Sequence, residues 1–378
     1  MDPITREIAR RGPVTFARFM ELALYHARAG YYTRSRRGAG PAGAEGDFLT
    51  APTAEPLFAR TLGTLLRRLT DTLGTKLTFV ELGSGEGILL TRLLEALGER
   101  RADTLERVAA VEIGAWARER IIARCTGVDV AMRLDGLERP RGPVLLFMSE
   151  LYDALPVHRV TMRRRAGVLE LAEFHVQADA AGGLAWSLGV PSTSELADYL
   201  HERGVRLEEG QIAELRPALD AKHERALRWC GDDAVALVLD YGYATHQLYN
   251  PRGRSRGTLT GYRSHRTVDD VLVDPGRVDI TAHINFDDLA RAAEVAGWAS
   301  GPLVPLGPFL AMHGALDLLP APVENAATLR PEEWAALGGA KRLLSPAGMG
   351  SDLKVLAQGR GRAWEAYRRI ATPPPVDA

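Results

Sequence analysis

The chain has 378 residues, of which 46% are hydrophobic and 25% are charged, and its formal net charge is −1. These values are typical of a globular protein with one large or two ordinary domains, and the near-neutral charge argues against a nucleic-acid partner bound through a basic surface. Two cysteines, Cys125 and Cys230, are too few for a disulfide framework or a four-ligand zinc site, so no metal is expected. The charged first residues lack the apolar core of a signal peptide, and no apolar run approaches the roughly 18 residues of a membrane span. We therefore expect a cytoplasmic protein that does not associate with membranes.

Residues 1–74 are predicted to form a helical segment that acts as a lid. Apolar residues recur at helical spacing over residues 2–30, within which Thr15 is a candidate N-cap. The stretch 35–45 is rich in Gly, Ala and Arg and is typical of a loop. A helix is predicted over about 54–73.

Residues 75–156 and 232–360 are predicted to form one α/β domain. Strands are predicted near 77–82, 108–112, 128–134 and 143–149, and helices near 86–98 and 114–124. This alternation implies a parallel, doubly wound sheet. The apolar run 234–240 is predicted to return to the sheet as a further strand.

Residues 157–231 break the alternation and are predicted to be an inserted subdomain. Two alternating runs flank Ala166-Gly167, which indicates a hairpin, and a helical section is predicted over about 207–229. The exposed face of this insertion is a candidate surface for a homodimer. The Arg163–Arg165 run is interpreted as the solvated face of the hairpin, with contact to an acidic protein as the alternative.

The C-terminal third is mixed in character. A helix is predicted over 286–296, with Asn285 as its N-cap and Gly297 as its stop. The run 353–357 is a candidate closing strand, and residues 361–378 are assigned to a tail.

A glycine-rich turn follows the first predicted strand of the α/β domain. Gly83, Gly85 and Gly87 have the spacing G-x-G-x-G, and Ile88 stands where the dinucleotide fingerprint G-x-G-x-x-G has its last glycine. No Gly-Lys-Ser/Thr follows, which excludes a P-loop. A strand, a tight turn and a helix N-terminus form a nucleotide-binding corner, although a glycine-rich turn without a ligand is the structural alternative.

The residues around this turn favour S-adenosylmethionine (SAM) over NAD. SAM carries no phosphate, and it needs close backbone approach together with carboxylates for its hydroxyls and cationic groups. Glu81, Glu86 and Glu112 are the candidate carboxylates.

Several runs from about residue 20 to residue 358 occur in the order typical of one family. They are Gly30-Tyr-Tyr, Gly46-Asp-Phe-Leu-Thr-Ala-Pro, Glu81-Leu-Gly-Ser-Gly-Glu-Gly, Ser149-Glu-Leu-Tyr-Asp-Ala-Leu-Pro, Asp240-Tyr-Gly, Gly257-Thr-Leu with Tyr262 and His265, Pro275-Gly-Arg-Val-Asp-Ile-Thr-Ala-His-Ile-Asn-Phe, and Met349-Gly with Leu353-Lys-Val-Leu. Together they resemble the MidA-like SAM-dependent methyltransferases, which include the mitochondrial complex I assembly arginine methyltransferase.

The resemblance implies a class I SAM-methyltransferase fold with a Rossmann-like sheet, SAM as the cofactor, and an arginine side chain of a protein or peptide as the methyl acceptor. The chain departs from the family pattern at Ser84, Glu86, Ser149 and Leu151. These departures leave two alternatives, a small-molecule or natural-product N- or O-methyltransferase and a SAM-binding assembly factor with little turnover.

The candidate cofactor-binding residues surround the glycine turn and the strand ends. Glu112 ends the second strand, where the resemblance implies contact with the ribose; a surface acid favoured by a helix N-terminus is the alternative. Asp135 is either an adenine-binding acid or a turn residue, and residues 46–50 are interpreted as a lid strand over the cofactor. The full set is Asp47, Phe48, Thr50, Glu81, Gly83, Ser84, Gly85, Gly87, Glu112, Ile113, Asp135, Glu150 and Leu151.

The candidate catalytic residues are Glu150, Asp153 and His283. Glu150 and Asp153 follow the fourth strand, where open α/β sheets bind ligands, although Asp153 as a turn cap and Glu150 as a solvated acid form the alternative. Two carboxylates can hold a guanidinium, aim one nitrogen at the methyl group and draw charge away from that nitrogen. His283 lies in a Thr-x-His pattern that resembles a loop of arginine methyltransferases, and it would accept a proton or orient Glu150. A core histidine bonded to the backbone is the alternative.

Overall fold

The computed structural model describes residues 2–34, 50–320 and 330–371. The strands in these ranges are β1 (Val14–Thr15), β2 (Leu77–Leu82), β3 (Leu105–Val111), β4 (Asp129–Ala131), β5 (Val144–Ser149), β6 (His158–Arg165), β7 (Val168–Ala178), β8 (Leu184–Gly189), β9 (Ile212–Leu215), β10 (Ala234–Tyr243), β11 (Thr260–Arg263), β12 (Arg266–Val268), β13 (Asp279–Thr281), β14 (Ile284–Asn285), β15 (Ala299–Pro305) and β16 (Leu353–Arg360). The helices are α1 (Pro3–Arg11), α2 (Phe16–Tyr25), α3 (Ala51–Ala54), α4 (Pro56–Leu73), α5 (Ile88–Leu97), α6 (Arg101–Thr104), α7 (Ala115–Arg124), α8 (Glu195–Glu202), α9 (Leu219–Cys230), α10 (Thr245–Leu248), α11 (Pro251–Arg254), α12 (Phe286–Val295), α13 (Leu306–Met312), α14 (Pro331–Leu344), α15 (Met349–Asp352) and α16 (Gly361–Ala371). Within these ranges, no helix combines the length and apolar character needed to span a membrane.

The central sheet has the strand order β15-β16-β10-β5-β2-β3-β4. Strands β4, β3, β2, β5 and β10 are mutually parallel, and β16 runs antiparallel to both of its neighbours. Its inner strands are continuous apolar runs, as expected for strands that are covered on both faces. Because β2 and β5 are parallel neighbours, Glu81 and Glu150 lie at the same edge of the sheet.

Helices cover both faces of this sheet. Alternate side chains of β2 point to opposite sides, so Phe79 packs in one core with α4, α5 and α16, whereas Val80 packs in the other with α9 and α12. The predicted doubly wound α/β architecture is confirmed.

The inserted residues build a second sheet in the order β1-β7-β6-β9, with β8 paired to β7. The predicted hairpin is confirmed, because β6 and β7 pair around Ala166 and Gly167, whose φ angles of 49° and 84° suit a tight two-residue turn. The N-terminal strand β1 joins this sheet through the pairing of Val14 with Val176. The N-terminal segment and the insertion therefore form one layer beside the central sheet.

The helix predicted over 207–229 needs correction. Residues 212–215 form β9, and the helix begins only at Leu219, after Pro217. Buried side chains of α9, such as Leu227 and Trp229, pack against the central sheet. The helix thus belongs to the sheet domain, although it lies inside the range assigned to the insertion.

The tail assigned to residues 361–378 also needs correction. Residues 361–371 form the amphipathic helix α16, whose Trp364, Tyr367 and Ile370 are buried in the core beside α4. Residues 372–378 lie outside the described residues.

The predicted helix caps are confirmed. The Thr15 hydroxyl accepts a 3.2 Å hydrogen bond from the backbone N–H of Arg18, and the Asn285 side chain accepts one from the backbone N–H of Asp287. Gly297, with a φ of 75°, follows the end of α12.

Candidate active site

A cavity of about 520 Å³ lies at the carboxyl ends of β2, β3 and β5. Most of the predicted cofactor residues line it, namely Thr50, Glu81, Gly83, Ser84, Gly85, Glu112, Ile113, Glu150 and Leu151. Asp47 and Phe48 lie outside the described residues, so their roles stay predictions. Ligand binding at this edge is expected for an open α/β sheet.

The glycine turn forms one wall of this first cavity. Gly83 has a φ of 74°, and a Cβ atom there would lie 2.9 Å from Cδ1 of Leu151. Gly85 has a φ of 53°, and its N–H donates a 2.9 Å hydrogen bond to Oε2 of Glu112. The turn therefore needs glycine, both for its left-handed backbone and for the close approach of Leu151, which lies in the loop after β5.

Two of the glutamates that line the first cavity, Glu112 and Glu81, differ in their hydrogen bonding. Both oxygens of Glu112 accept backbone hydrogen bonds, from Gly85 and from Gly114 at 2.8 Å. Oε2 of Glu81, by contrast, is buried without a hydrogen-bond partner among the described residues, and burial raises the pKa of this side chain to about 8. The Ser149 hydroxyl is likewise buried and unpaired there. Buried polar atoms without partners are costly, so these two fit a ligand that carries amino or hydroxyl groups.

Asp135 does not line this cavity. It lies in an exposed turn and forms an ion pair with Arg133 at 3.3 Å, while its neighbours Met132 and Leu134 line the cavity instead. The cavity wall is apolar at this point, and a direct contact between Asp135 and the ligand is not supported.

Gly87 and Glu86 serve the packing of the turn. Gly87 begins α5 with a φ of 75°, and a Cβ atom there would meet Ile121 of α7 at 3.1 Å. The Glu86 carboxylate is paired with Arg120 at 2.5 Å and with Arg124 at 3.6 Å. Glu86 lines the first cavity, as expected, but its carboxylate is engaged by these two arginines rather than free for the cofactor.

A second cavity of about 290 Å³ adjoins the first. Its lining includes the three predicted catalytic residues and several tyrosines, namely Tyr32, Glu150, Asp153, Tyr241, Thr260, Tyr262, His265, Asp279, Thr281, His283 and Met349. Tyr32 and Glu150 line both cavities. Three carboxylates face this space, and none of its described lining residues is a lysine or an arginine.

Glu150 stands between the two cavities on a strained backbone. Its φ of 48° is unusual for a residue other than glycine, and its N–H donates a 2.8 Å hydrogen bond to the carbonyl of Leu239. One carboxylate oxygen accepts a 3.0 Å hydrogen bond from the N–H of Ala51. Burial and the nearby Asp153 raise the pKa of Glu150 well above its ordinary value. Strain of this kind is typical of functional positions.

Asp153 lies deeper, close to a second buried acid. Burial raises the pKa of Asp153 to about 6, although the positive charge of Arg216 acts in the opposite direction. Asp240 is fully buried, and its oxygens accept hydrogen bonds from the N–H groups of Tyr152 at 2.9 Å and Tyr241 at 2.8 Å. Asp240 thereby fixes the loop that carries Glu150 and Asp153.

His283 is held between aromatic rings at the wall of the second cavity. Its ring centre lies 6.2 Å from that of Tyr241 and 5.5 Å from that of Tyr243. Its Nδ1 has no hydrogen-bond partner among the described residues. Burial, together with the positive charges of Arg254 and other basic groups, lowers the pKa to about 4. The imidazole is therefore neutral near pH 7.

Some residues of the second cavity were not identified as site residues from the sequence. Tyr32, Tyr262 and Asp279 occur in the sequence analysis only within the family motifs. In the structure, Asp279 accepts a 2.6 Å hydrogen bond from the Tyr32 hydroxyl. Arg216 carried no signal at all, because nothing in the sequence pattern marks an arginine beside a proline as buried.

Comparisons with known proteins agree with this geometry. Residues 57–303 match the model of a family described as S-adenosyl-L-methionine-dependent methyltransferases. The mitochondrial protein arginine methyltransferase NDUFAF7 homolog of Drosophila melanogaster is 28% identical, over 93% of this chain and 82% of its own length. The mitochondrial protein arginine methyltransferase NDUFAF7 of Mus musculus is 25% identical over the same shares.

Two crystal structures of proteins from Burkholderia thailandensis are similar to this chain over nearly their full length. The one bound to S-adenosyl-homocysteine has a TM-score of 0.78 and 29% identity, and the alignment covers 94% of this chain and 92% of that one. The native structure has a TM-score of 0.78 and 30% identity, with 97% and 94% covered. The unpaired polar atoms of Glu81 and Ser149 fit SAM, which has an amino group and two ribose hydroxyls. The chain belongs to the MidA-like family of SAM-dependent methyltransferases, as the resemblance predicted.

Proposed function

We propose that this methyltransferase modifies an arginine side chain of a protein or peptide. The observation that carries the proposal is the second cavity, which combines the carboxylates of Glu150, Asp153 and Asp279 with tyrosine rings. A guanidinium is a planar cation that binds carboxylates through paired hydrogen bonds and stacks on aromatic faces. The relatives named protein arginine methyltransferase support the same acceptor.

On the donor side, SAM supplies an electrophilic methyl group on a sulfonium. We assign the SAM amino group to Glu81, whose unpaired buried oxygen suits a cationic partner. The ribose hydroxyls are assigned to Glu112, at the end of β3. Ile113 and Leu151 supply apolar wall, and the glycine turn allows the ligand to approach the backbone closely.

On the acceptor side, transfer requires that one guanidinium nitrogen lie in line with the methyl group. Glu150 borders both cavities, so its carboxylate is placed to hold the guanidinium and aim that nitrogen. The arginine loses one N–H proton as its nitrogen gains the methyl group, and the site needs a base. Burial raises the pKa of Asp153 and lowers that of His283, so Asp153 is the stronger base of the two. We assign the proton to Asp153, and the orientation of the carboxylates to His283.

The test compares Glu150→Gln and Asp153→Asn with the wild-type protein. SAM binding is measured by isothermal titration, and transfer of a labelled methyl group to arginine-containing peptides is followed by identification of the methylated amino acid. We expect SAM affinity to change by less than about tenfold and transfer to fall by about 100-fold or more, because the lost groups act mainly in the transition state. Glu170→Gln is the matched control, because Glu170 is a half-buried acid of the inserted hairpin that pairs with Arg163 at 2.9 Å.

The same assay contains the outcomes that contradict the proposal. Full transfer by Glu150→Gln removes the assigned role of that carboxylate. Label in a metabolite rather than in arginine favours a small-molecule methyltransferase, and SAM binding without transfer to any lysate component favours an assembly factor. The cytoplasmic location stays a prediction, since the curated relatives are mitochondrial. The homodimer also stays a prediction.

A further inference from the structure

Arg216 follows the last strand of the inserted sheet and extends to the wall of the second cavity. Its guanidinium donates four hydrogen bonds to backbone carbonyls: to Asp153 at 2.7 Å, Leu155 at 3.1 Å, Ala282 at 2.6 Å and His283 at 2.8 Å. The residue is 6% exposed. An arginine that satisfies four buried carbonyls at once is a structural junction.

The four carbonyls belong to the two segments that carry the proposed acceptor residues. One segment is 153–155, which follows β5 and contains Asp153. The other is 282–283, which follows β13 and contains His283. One further hydrogen bond, from the N–H of Ala282 to the carbonyl of Asp153 at 3.1 Å, joins the segments directly. The relative position of Asp153 and His283 therefore depends on a side chain that the insertion supplies.

Arg216 also sets the charge around Asp153. The ionisable groups that face Asp153 are Arg216, Glu150, Asp240, Tyr25, Tyr241 and Tyr262. Within this set Arg216 is the only basic group, and it faces Asp240 as well. His265, Asp279 and His283 share the cavity wall with Asp153.

We propose that Arg216 is a positioning residue for methyl transfer, because it holds the two segments that carry Asp153 and His283 in register at the second cavity. Its positive charge also favours the ionised form of Asp153. This inference rests on the function proposed above for the second cavity. It also links the insertion to the reaction, because Arg216 directly follows β9 of the inserted sheet and lies behind the wall of the second cavity.

Lysine cannot replace arginine in this role. Its ammonium group is a single point with three donors, whereas the planar guanidinium of Arg216 spans carbonyls of two segments. Arg216→Lys therefore keeps the positive charge but cannot bond the carbonyls of both segments. Arg216→Gln loses both the charge and these hydrogen bonds. The two variants separate positioning from charge.

The experiment measures SAM affinity, kcat and KM for an arginine-containing peptide, and the pH dependence of kcat/KM. Arg216→Lys is expected to keep SAM affinity within about twofold and to lower kcat/KM by about tenfold or more, because hydrogen bonds to a charged donor are lost. Arg216→Gln is expected to lower it further and to move the acidic limb of the pH profile upward by about one unit. Arg203→Gln is the matched control, since that side chain is 3% exposed and pairs with Asp288 at 2.6 Å away from both cavities. Arg203→Gln is expected to lower stability without moving the acidic limb of the pH profile of kcat/KM.

Two results overturn the inference. One is a normal kcat/KM in Arg216→Lys, and the other is a limb shift in Arg203→Gln as large as in Arg216→Gln. If the Arg216 variants do not fold, the titration of the Asp153 carboxyl is measured in the wild-type protein by carbon NMR. Titration near pH 6 supports the inference that the charge of Arg216 offsets the effect of burial on Asp153. Titration above pH 8 overturns it. This measurement needs no methyl acceptor, so its result remains valid even if the wild-type protein methylates no arginine-containing peptide. Lack of methylation would instead contradict the proposed function.

Discussion

The Tyr32 hydroxyl donates a 2.6 Å hydrogen bond to Oδ1 of Asp279, joining the N-terminal segment to the wall of the second cavity. Tyr32 also lines the first cavity. The segment before the sheet is thus part of the boundary between the proposed donor and acceptor spaces.

Tyr32→Phe is expected to lower kcat/KM for the acceptor by about tenfold and the free energy of unfolding by about 1 kcal/mol, because one hydrogen bond to a buried carboxylate is lost. Transfer kinetics and urea denaturation measure the two effects. Tyr199→Phe is the matched control, since Tyr199 donates an equally short 2.6 Å hydrogen bond to Asp288 outside the cavities. Equal losses of kcat/KM in both variants would show that the effect is general destabilisation.

Gly83→Ala is expected to weaken SAM binding by about tenfold or more. The new methyl group strains a backbone with a φ of 74° and pushes Leu151 into the first cavity. Gly210→Ala is the control, because Gly210 has a φ of 79° and open space around it. Both variants should lose about 1–2 kcal/mol of stability from the left-handed backbone, and only Gly83→Ala should lose SAM affinity in isothermal titration. Unchanged affinity in Gly83→Ala would contradict the assigned contact.

The raised pKa of Glu81 predicts that both SAM binding and the free energy of unfolding depend on pH. Its pKa is about 8 in the folded protein and near 4.5 when unperturbed, so the folded state binds the extra proton between these values. The stability of the ligand-free protein is therefore expected to fall as pH rises from about 4.5 to about 8, whereas SAM affinity rises, because the amino group of SAM favours the ionised carboxylate.

Glu81→Gln should remove both trends. Urea denaturation at pH 6 and pH 8.5 and titration calorimetry over the same range measure them. Glu106→Gln, at an exposed acid of the neighbouring strand, should leave both trends in place. The assignment fails if SAM affinity in wild-type protein is independent of pH.

His313→Phe is expected to stabilise the protein. His313 is fully buried directly after α13, and neither ring nitrogen has a partner among the described residues. Its ring centre lies 4.6 Å from that of Phe309. Burial lowers its pKa from 6.5 to about 4, so the unfolded state gains the proton first as pH falls, and stability is lost from about pH 6.5 down to pH 4. The gain from the substitution should therefore be larger at pH 5 than at pH 7.5 in urea denaturation. A loss of stability at both pH values would show that the ring has a polar partner.

Local patterns predicted much of the fold. The apolar runs marked the parallel strands, the capping residues Thr15 and Asn285 marked helix starts, and the glycine spacing marked the turn at Gly83. Each of these signals lies within a few residues of the feature that it predicts. Helix α16 was missed because its amphipathic pattern is short and borders a proline-rich end.

The second cavity was harder to predict, because it is assembled from distant parts of the chain. The lining residues Tyr32, Asp153 and Asp279, and Arg216 behind the wall, come from four separate segments, and only tertiary packing brings them together. Glu150 and Asp153 were found because they end a strand beside the glycine turn. Arg216 was not, since its role depends on four carbonyls whose positions no local pattern encodes.

The positive φ of Glu150 means that the protein holds its central acid in a conformation that glycine would adopt more easily. The substitution that relaxes the backbone most at this position is also the one that removes the carboxylate. Selection for stability alone at position 150 would therefore favour glycine and remove the carboxylate to which we assign the binding of the methyl acceptor. Stability screening of this chain should accordingly score position 150 for activity before any gain in melting temperature is accepted.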